Sequence, residues 1–306
     1  MKIIITGGSG LLARYIVAEL QKSLDDISVV VSDQRALFAA DKLYNDKVTV
    51  IPESRFFMDD VLKERILGAC VINTAFTRKN EGHEIAKSLD YTYRLFAACK
   101  KYKAKSVINC SSRSVYEQPA SGEYNTEDSP INADSLIATA KYGSELLLKA
   151  FFKESDVQYT NLRIASINEL KLDNNMTRPL NVFVDCVLDG KNIKVFNGKQ
   201  IMSFVDPRDV AKAIRMICIS ENHWKEVYNV GSGTLCTTSL YNMAKRVMEL
   251  GVELGYKEVG IDIIEKDISQ TAGLNIERIQ RDFGFVPDIS LDDMIRSLFE
   301  MKTTNV

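Results

Sequence analysis

The sequence is poor in the residues that build metal and redox centres. Its 306 residues hold two histidines, His83 and His223, and six cysteines, at 70, 99, 110, 186, 218 and 236. The nearest two cysteines lie 11 residues apart, so there is no CxxC pair, and the histidines do not stand at a ligand spacing from each other. A zinc or dithiol centre is therefore not expected, and we read the cysteines as reduced thiols of a cytoplasmic protein. No apolar run approaches the roughly 18–20 residues that a membrane span needs. Charge of one sign is not in excess either. The 39 Lys+Arg against 41 Asp+Glu give a net charge of −2, with no basic block or acidic tail, which argues against nucleic acid or an anionic membrane as the main partner. The opening Met1-Lys2-Ile3-Ile4-Ile5-Thr6-Gly7-Gly8 turns polar and Gly-rich too early for a signal peptide.

What is present is an ordinary globular balance, 45% hydrophobic and 26% charged, in a chain long enough to build its core without disulfides or a structural metal. The first half alternates short β-branched runs with longer amphipathic segments. The runs are Lys2–Thr6, Ser28–Ser32, Val48–Ile51, Cys70–Thr74 and Ser106–Ser111; the helical patterns are Leu11–Ser23, Asp60–Leu67, Glu84–Tyr102 and Ser135–Lys153. Continuous apolar strands imply a sheet covered on both faces. The β-α-β alternation implies a parallel, doubly wound α/β fold with right-handed crossovers. The pattern continues through Tyr159–Ala165 and then loosens. Polar stretches at Glu117–Asp134 and Glu169–Pro179 interrupt it, followed by helices near Leu180–Leu188 and Asp209–Ile219, a strand Val227–Val230, and helices near Leu240–Leu250 and Leu291–Met301. We expect a nucleotide-binding Rossmann-type domain over 1–165 and a smaller C-terminal substrate lobe over 166–306. The strand and helix near 204–230 are expected to return to the first domain.

Directly after the first strand comes Gly7-Gly8-Ser9-Gly10-Leu11-Leu12-Ala13. A strand running through glycines into a helix presents free backbone N–H groups at the helix N-terminus, and these favour a pyrophosphate. Gly7, Ser9, Gly10, Leu11 and Leu12 are the candidates to hold it. Asp33 stands 23 residues beyond Gly10, at the end of the second strand, where a carboxylate accepts hydrogen bonds from an adenosine ribose. That carboxylate repels a 2′-phosphate and favours NAD. Arg35, two positions on, offers a guanidinium that offsets the repulsion, so NADP stays open.

These residues resemble the extended short-chain dehydrogenase/reductases, the group that includes NAD-dependent sugar-nucleotide epimerases and dehydratases. Thr6, Gly7, Gly10 and Ala13 match its TGxxGxxG signature, with Ala for the third Gly. Asp60-Val61 looks like the pair that contacts the adenine. Val71-Ile72-Asn73-Thr74-Ala75 is similar to the fourth-strand motif, which places Thr74, Ala75 and Phe76 beside the cofactor. Ser111-Ser112-Arg113-Ser114-Val115-Tyr116 resembles SSxxVYG. Asn197-Gly198-Lys199-Gln200, Phe204-Val205-Asp206, Asp209-Val210-Ala211, Val227-Tyr228-Asn229-Val230-Gly231 and Phe283-Gly284-Phe285-Val286-Pro287 follow the family's C-terminal pattern. The resemblance covers nearly the whole chain.

In that family a Ser or Thr and a Tyr-x-x-x-Lys helix carry the chemistry, and a spacing of four puts Tyr and Lys on one helical face. The resemblance gives Lys141 the role of holding the nicotinamide ribose and Ser112 that of bonding the reacting oxygen. Four residues before Lys141, however, stands Ile137. Another register does not restore the Tyr, because the residue four beyond Tyr142 is Leu146 and Lys149 is seven beyond. Tyr116 and Tyr142 remain as phenols that act from a different position, or as packing aromatics. On the substrate side, an Arg that often grips the diphosphate in the family is matched by Met202. The family's later Arg is also unmatched, in Glu265-Lys266-Asp267-Ile268-Ser269-Gln270. Arg78 and Arg113 are the candidates to anchor an anionic group or polarise a carbonyl, against the alternative of ordinary solvated arginines. His83 reads as a surface residue.

The resemblance thus implies NAD-dependent modification of a sugar nucleotide by epimerisation, dehydration or ketoreduction, in a homodimer paired through Glu84–Tyr102 and Ser135–Lys153. Two alternatives stand beside it. The missing Tyr suggests a non-catalytic dinucleotide-binding sensor or scaffold, and Met202 suggests a reductase of a small non-nucleotide carbonyl compound.

Overall fold

The computed structural model describes residues 1–33, 44–119, 123–168, 178–266 and 272–304. Seven parallel strands form its main sheet: β1 (Ile3–Thr6), β2 (Ile27–Val31), β3 (Val48–Pro52), β4 (Cys70–Asn73), β5 (Ser106–Ser112), β6 (Gln158–Ile164) and β10 (Val227–Val230). Their spatial order is β3-β2-β1-β4-β5-β6-β10. The chain steps outward from β1 to β3 and then restarts at β4 on the other side of β1. This reversal opens a crevice at the carboxyl ends of β1 and β4, the position where open α/β sheets take their ligands.

Helices cover both faces, which explains why the strands are apolar at every position. Ile3 and Ile5 point into one core with Ile16, Val17, Val210, Ile214 and Ile217, residues of α1 (Leu11–Leu20) and α6 (Pro207–Ile219). Ile4, between them, points into the other core with Leu95, Phe96, Leu148 and Phe152, from α3 (Gly82–Lys101) and α4 (Leu136–Phe152). A shorter helix α2 (Asp59–Ile66) leads into β4. With both faces buried, polar replacements in β1 have no solvent side on which to fall.

One polar line crosses this apolar sheet. Parallel register aligns Thr6 with Asn73, Asn73 with Asn109 and Asn109 with Asn161. Thr6 Oγ1 donates to Asn73 Oδ1 at 2.8 Å, and Asn73 Nδ2 donates to Asn109 Oδ1 at 3.1 Å. Asn109 Nδ2 in turn donates to Asn161 Oδ1 at 2.9 Å and to Ser144 Oγ at 3.0 Å. All of these residues are buried, and each amide is held by the next.

A separate core packs α5 (Pro179–Leu188), α7 (Leu240–Glu253) and α9 (Leu291–Thr304) against β8 (Ile193–Phe196) and β9 (Ile201–Val205), with Phe183, Val195, Phe204, Met243, Val247 and Leu298 buried in it. Small sheets border this core. β9 lies between β7 (Ser166–Ile167) and β11 (Thr237–Ser239), and β8 pairs with β12 (Ile261–Ile264). A short helix α8 (Glu277–Phe283) packs back beside β10. Among the described residues no helix is long and apolar enough to cross a membrane.

Candidate functional site

The glycine turn is shaped by contact as much as by composition. Gly7 has φ +72°, and a Cβ there would stand 2.8 Å from Thr74 Oγ1 and 2.9 Å from Ala75 N. Only glycine lets β1 approach the β4 loop this closely. That loop is fixed in return, since Thr74 Oγ1 donates to the Thr6 carbonyl at 2.7 Å and Ala75 N donates to Asn73 Oδ1 at 3.3 Å. Gly10 is the N-cap of α1 and brings no side chain to cap it. The first-turn N–H groups therefore meet the crevice without a side-chain acceptor of their own helix.

Two adjoining cavities open there, of about 570 Å³ and 520 Å³, and share Gly7, Ser9, Ala75, Phe76 and Thr77. The second runs past Val30, Val31 and Ser32 toward Tyr91 and Arg94. Asp33 follows Ser32, and its Oδ1 accepts from Ser54 N at 3.0 Å and Ser54 Oγ at 2.9 Å. Arg35 lies outside the described residues. Asp60 and Val61 sit in the first turn of α2 and line neither cavity.

The larger cavity continues from Leu11 and Leu12 to Ser112, Arg113, Ile137, Lys141, Ser166, Arg78 and Arg178. Ser112 ends β5; its Oγ accepts from Ser114 N at 3.2 Å and from Ser114 Oγ at 2.9 Å. Lys141 projects from α4 one turn after Ile137, so both side chains reach the same cavity. Its Nζ donates to the Cys110 carbonyl at 2.7 Å and stands 4.2 Å from the Phe76 ring centroid. Burial pushes the Lys141 ammonium down to about 8. Cys110 and Glu145 act to raise it, and the Arg78 charge lowers it further.

α4 is held in place by a buried pair. Arg163 on β6 grips Glu145 through Nη2–Oε2 at 2.7 Å and Nε–Oε1 at 3.1 Å, and Ser111 Oγ donates to Glu145 Oε1 at 2.5 Å. Glu145 is one turn beyond Lys141, so the pair fixes the helical face that presents Lys141.

The phenols lie elsewhere. Tyr116 is buried, its hydroxyl donates to Asn229 Oδ1 at 2.8 Å, and its ring lies under the Arg163 guanidinium. Burial pushes that phenol up to about 12. Tyr142 packs half-buried against the core on the α1 side of the sheet. Neither is among the described residues that line these two cavities. Lys149 pairs with Glu226 on the surface, 2.9 Å away, and His83 is exposed beside Glu81 and Glu84. Met202 sits in β9 opposite Thr238, half-buried against the separate core and away from both cavities. Lys266 lies near the Phe196 ring, 5.7 Å from its centroid.

Sequence reading passes over Arg178, Ser166, Thr77 and Tyr91. Arg178 has a local signal, because it directly precedes the Pro179 that opens α5, and a residue before a helix-opening Pro sits at the helix mouth.

Residues 3–231 match the model of the NAD dependent epimerase/dehydratase family. UDP-glucose 4-epimerase of Bacillus subtilis (strain 168) is 25% identical over 100% of this chain and 98% of its own length. Two solved structures share the fold. One is UDP-N-acetylglucosamine 4-epimerase of Methanobrevibacter ruminantium M1 in complex with UDP-N-acetylmuramic acid, with TM-score 0.81 and 20% identity over 100% of this chain and 99% of that one. The other is UDP-glucose 4-epimerase of Thermus thermophilus in complex with NAD, with TM-score 0.77 and 18% identity over 100% of each chain. The glycine turn, the strand order and a family match that runs from β1 through β10 agree: the chain belongs to the NAD-dependent epimerase/dehydratase family.

Proposed function

We propose that the protein binds NAD across the two adjoining cavities and uses it to modify a sugar nucleotide by epimerisation, dehydration or ketoreduction. The observation that carries this reading is the continuity of the cleft, from the uncapped N-terminus of α1 at one end to Ser112 and Lys141 at the other. The residues present fit the cofactor. Gly7, Ser9 and Gly10 offer backbone N–H groups to a pyrophosphate, Asp33 offers a carboxylate to ribose hydroxyls, and Thr74, Ala75, Phe76 and Lys141 line the path of the nicotinamide half. Bound there, NAD supplies reversible acceptance of a hydride.

The chain's own residues orient the substrate and handle the proton. Ser112 hydrogen-bonds the reacting oxygen. Isoleucine cannot carry a proton, so the Ile137 side chain only shapes the wall. Burial lowers the hold of the Lys141 ammonium on its proton to about 8, and its amine form takes the proton of the reacting hydroxyl. Turnover then rises with pH through about 8, as the ammonium gives way to the amine. Arg163 and Glu145 act through position, by holding α4. A second copy pairs with this one through α3 and α4.

The test starts from protein as purified. Denaturation and mass analysis identify any released dinucleotide, and the stripped protein is titrated with NAD, NADH, NADP and NADPH. Stabilisation of the NAD-loaded protein by UDP, GDP, CDP or dTDP then locates the nucleotide, and a panel of sugar nucleotides is screened for a changed product. Dinucleotide binding without any product, whatever the panel, favours a sensor or scaffold, the reading that Ile137 in the cavity wall supports. Failure to bind all four dinucleotides sinks both readings.

A further inference from the structure

Ser112 and Ser114 stand two residues apart on the wall of the larger cavity, and the bonds between them have a direction. Ser112 closes β5, and a short 3-10 turn, Arg113–Val115, follows it. The turn is pinned on both sides. Upstream, Ser111 Oγ donates to the buried Glu145 carboxylate. Downstream, Val115 and Tyr116 are buried, and the Tyr116 hydroxyl donates to Asn229. The two serines are thus held against each other while Ser114 stays exposed at the cavity wall.

A serine hydroxyl has two acceptor lone pairs and one proton to donate. Ser114 N donates to Ser112 Oγ at 3.2 Å, and Ser114 Oγ donates to the same oxygen at 2.9 Å. Both lone pairs are therefore occupied. The Ser112 hydroxyl donates to none of the described residues, so its own proton is left for the cavity. The backbone bond alone is a turn cap, which serines commonly supply. It fills one lone pair and leaves Ser112 able either to donate or to accept. The bond from the Ser114 hydroxyl removes that choice.

We propose that Ser114 is a positioning residue, which fixes Ser112 as an obligate hydrogen-bond donor to the reacting oxygen of the substrate. This rests on the sugar-nucleotide reading above and deepens it. A Ser112 that only donates cannot take the substrate's proton. It faces instead an oxygen that gains negative charge as its proton leaves, where a donor set in advance has its largest effect. Removing the proton then falls to another group on the same wall, and Lys141 is the one that reading assigns. Ser112 and Lys141 divide the two tasks, and Ser114 sets the division.

The test uses full-length, NAD-loaded protein and the sugar nucleotide that the product screen identifies. Ser114→Ala keeps the backbone N–H and removes the hydroxyl. It should lower kcat roughly three- to tenfold, the effect of one neutral hydrogen bond, and leave KM within about twofold. Ser114→Thr, which keeps the hydroxyl, should hold kcat within about twofold of wild type. The deciding measurement is a double-mutant cycle. In a Ser112→Ala background, Ser114→Ala should lower kcat no further, because no oxygen remains for it to orient. Melting curves show that each variant folds. Wild-type kcat in Ser114→Ala overturns the proposal, and so does an equal loss in both backgrounds. A loss confined to KM also overturns it, because Ser114 then binds the substrate directly. If no sugar nucleotide is turned over, the sugar-nucleotide reading fails first and takes this one with it.

Discussion

Gly7 shows what one missing methyl group allows. Its φ of +72° and the Thr74 and Ala75 atoms within 3 Å of any added Cβ leave no room for a side chain. Gly7→Ala should lower stability by about 1–3 kcal/mol through strain at that φ and the displaced β4 loop. It should also abolish co-purification of the dinucleotide, as read by mass analysis of the denatured protein. A variant that keeps its full complement of NAD would show that the turn does not hold the pyrophosphate. Lys141 gives a second prediction with a definite sign. Its folded-state pKa of about 8 lies below the ordinary lysine value of 10.5, so between those values the unfolded chain binds more protons. Stability therefore rises with pH across that window, and the penalty for burying the ammonium is present in full below it. Lys141→Met should raise the Tm of dinucleotide-free protein at pH 7, and the gain should shrink as pH climbs from 8 toward 10.5. A Tm difference that does not change with pH would place the Lys141 charge in solvent.

At the scale of elements, Asn109 joins three strands and a helix. Its amide bonds Asn73, Asn161 and Ser144 at once. Asn109→Leu would leave the Asn73 Nδ2 donor, the Asn161 amide and the Ser144 hydroxyl without their partner in the core. We expect a loss of about 2 kcal/mol or more in chemical denaturation, with a smaller effect for Ser144→Ala, which removes only one branch. Equal losses would mean that the line across the sheet is not a unit. This network is invisible in one sequence, because each Asn reads as an interruption in its own apolar run. The ladder arises only when four separate strands align in register. The strands themselves are legible: Cys70–Thr74 and Val227–Val230 are apolar runs bounded by turn residues, and they end within a residue of where the fold ends them. β8 and β12 are not legible. β8 alternates buried and exposed positions over four residues, and most of β12 is exposed, so neither carries an apolar run. The cavity divides in the same way. Ile137 and Lys141 are found through the resemblance to the family's Tyr-x-x-x-Lys helix, whereas Arg178 reaches the site because α5 starts beside it, a tertiary fact with no period in the sequence.

For the whole molecule, the helix that carries the site is also the one we propose for assembly. α4 turns Ile137 and Lys141 inward to the cavity and leaves Leu146 49% exposed, and Tyr93 of the neighbouring α3 is 53% exposed. The Tyr93 ring packs on Phe151 of α4, with centroids 5.5 Å apart, so α3 and α4 present one continuous outer surface. Two copies meeting there would bury these residues in a four-helix contact, with the crevice on the opposite side of α4 left open. Size measurement at micromolar concentration should accordingly give about twice the 34.4 kDa of the chain. Tyr93→Glu combined with Leu146→Glu should bring the mass to that of one chain, because like charges and lost apolar area oppose the contact. The double variant should still bind NAD, since neither residue lines the cleft. A wild-type chain that is already monomeric removes the pairing. A variant that loses NAD together with its partner would show that α4 transmits between the two faces, and the Glu145–Arg163 pair is the contact through which it would do so.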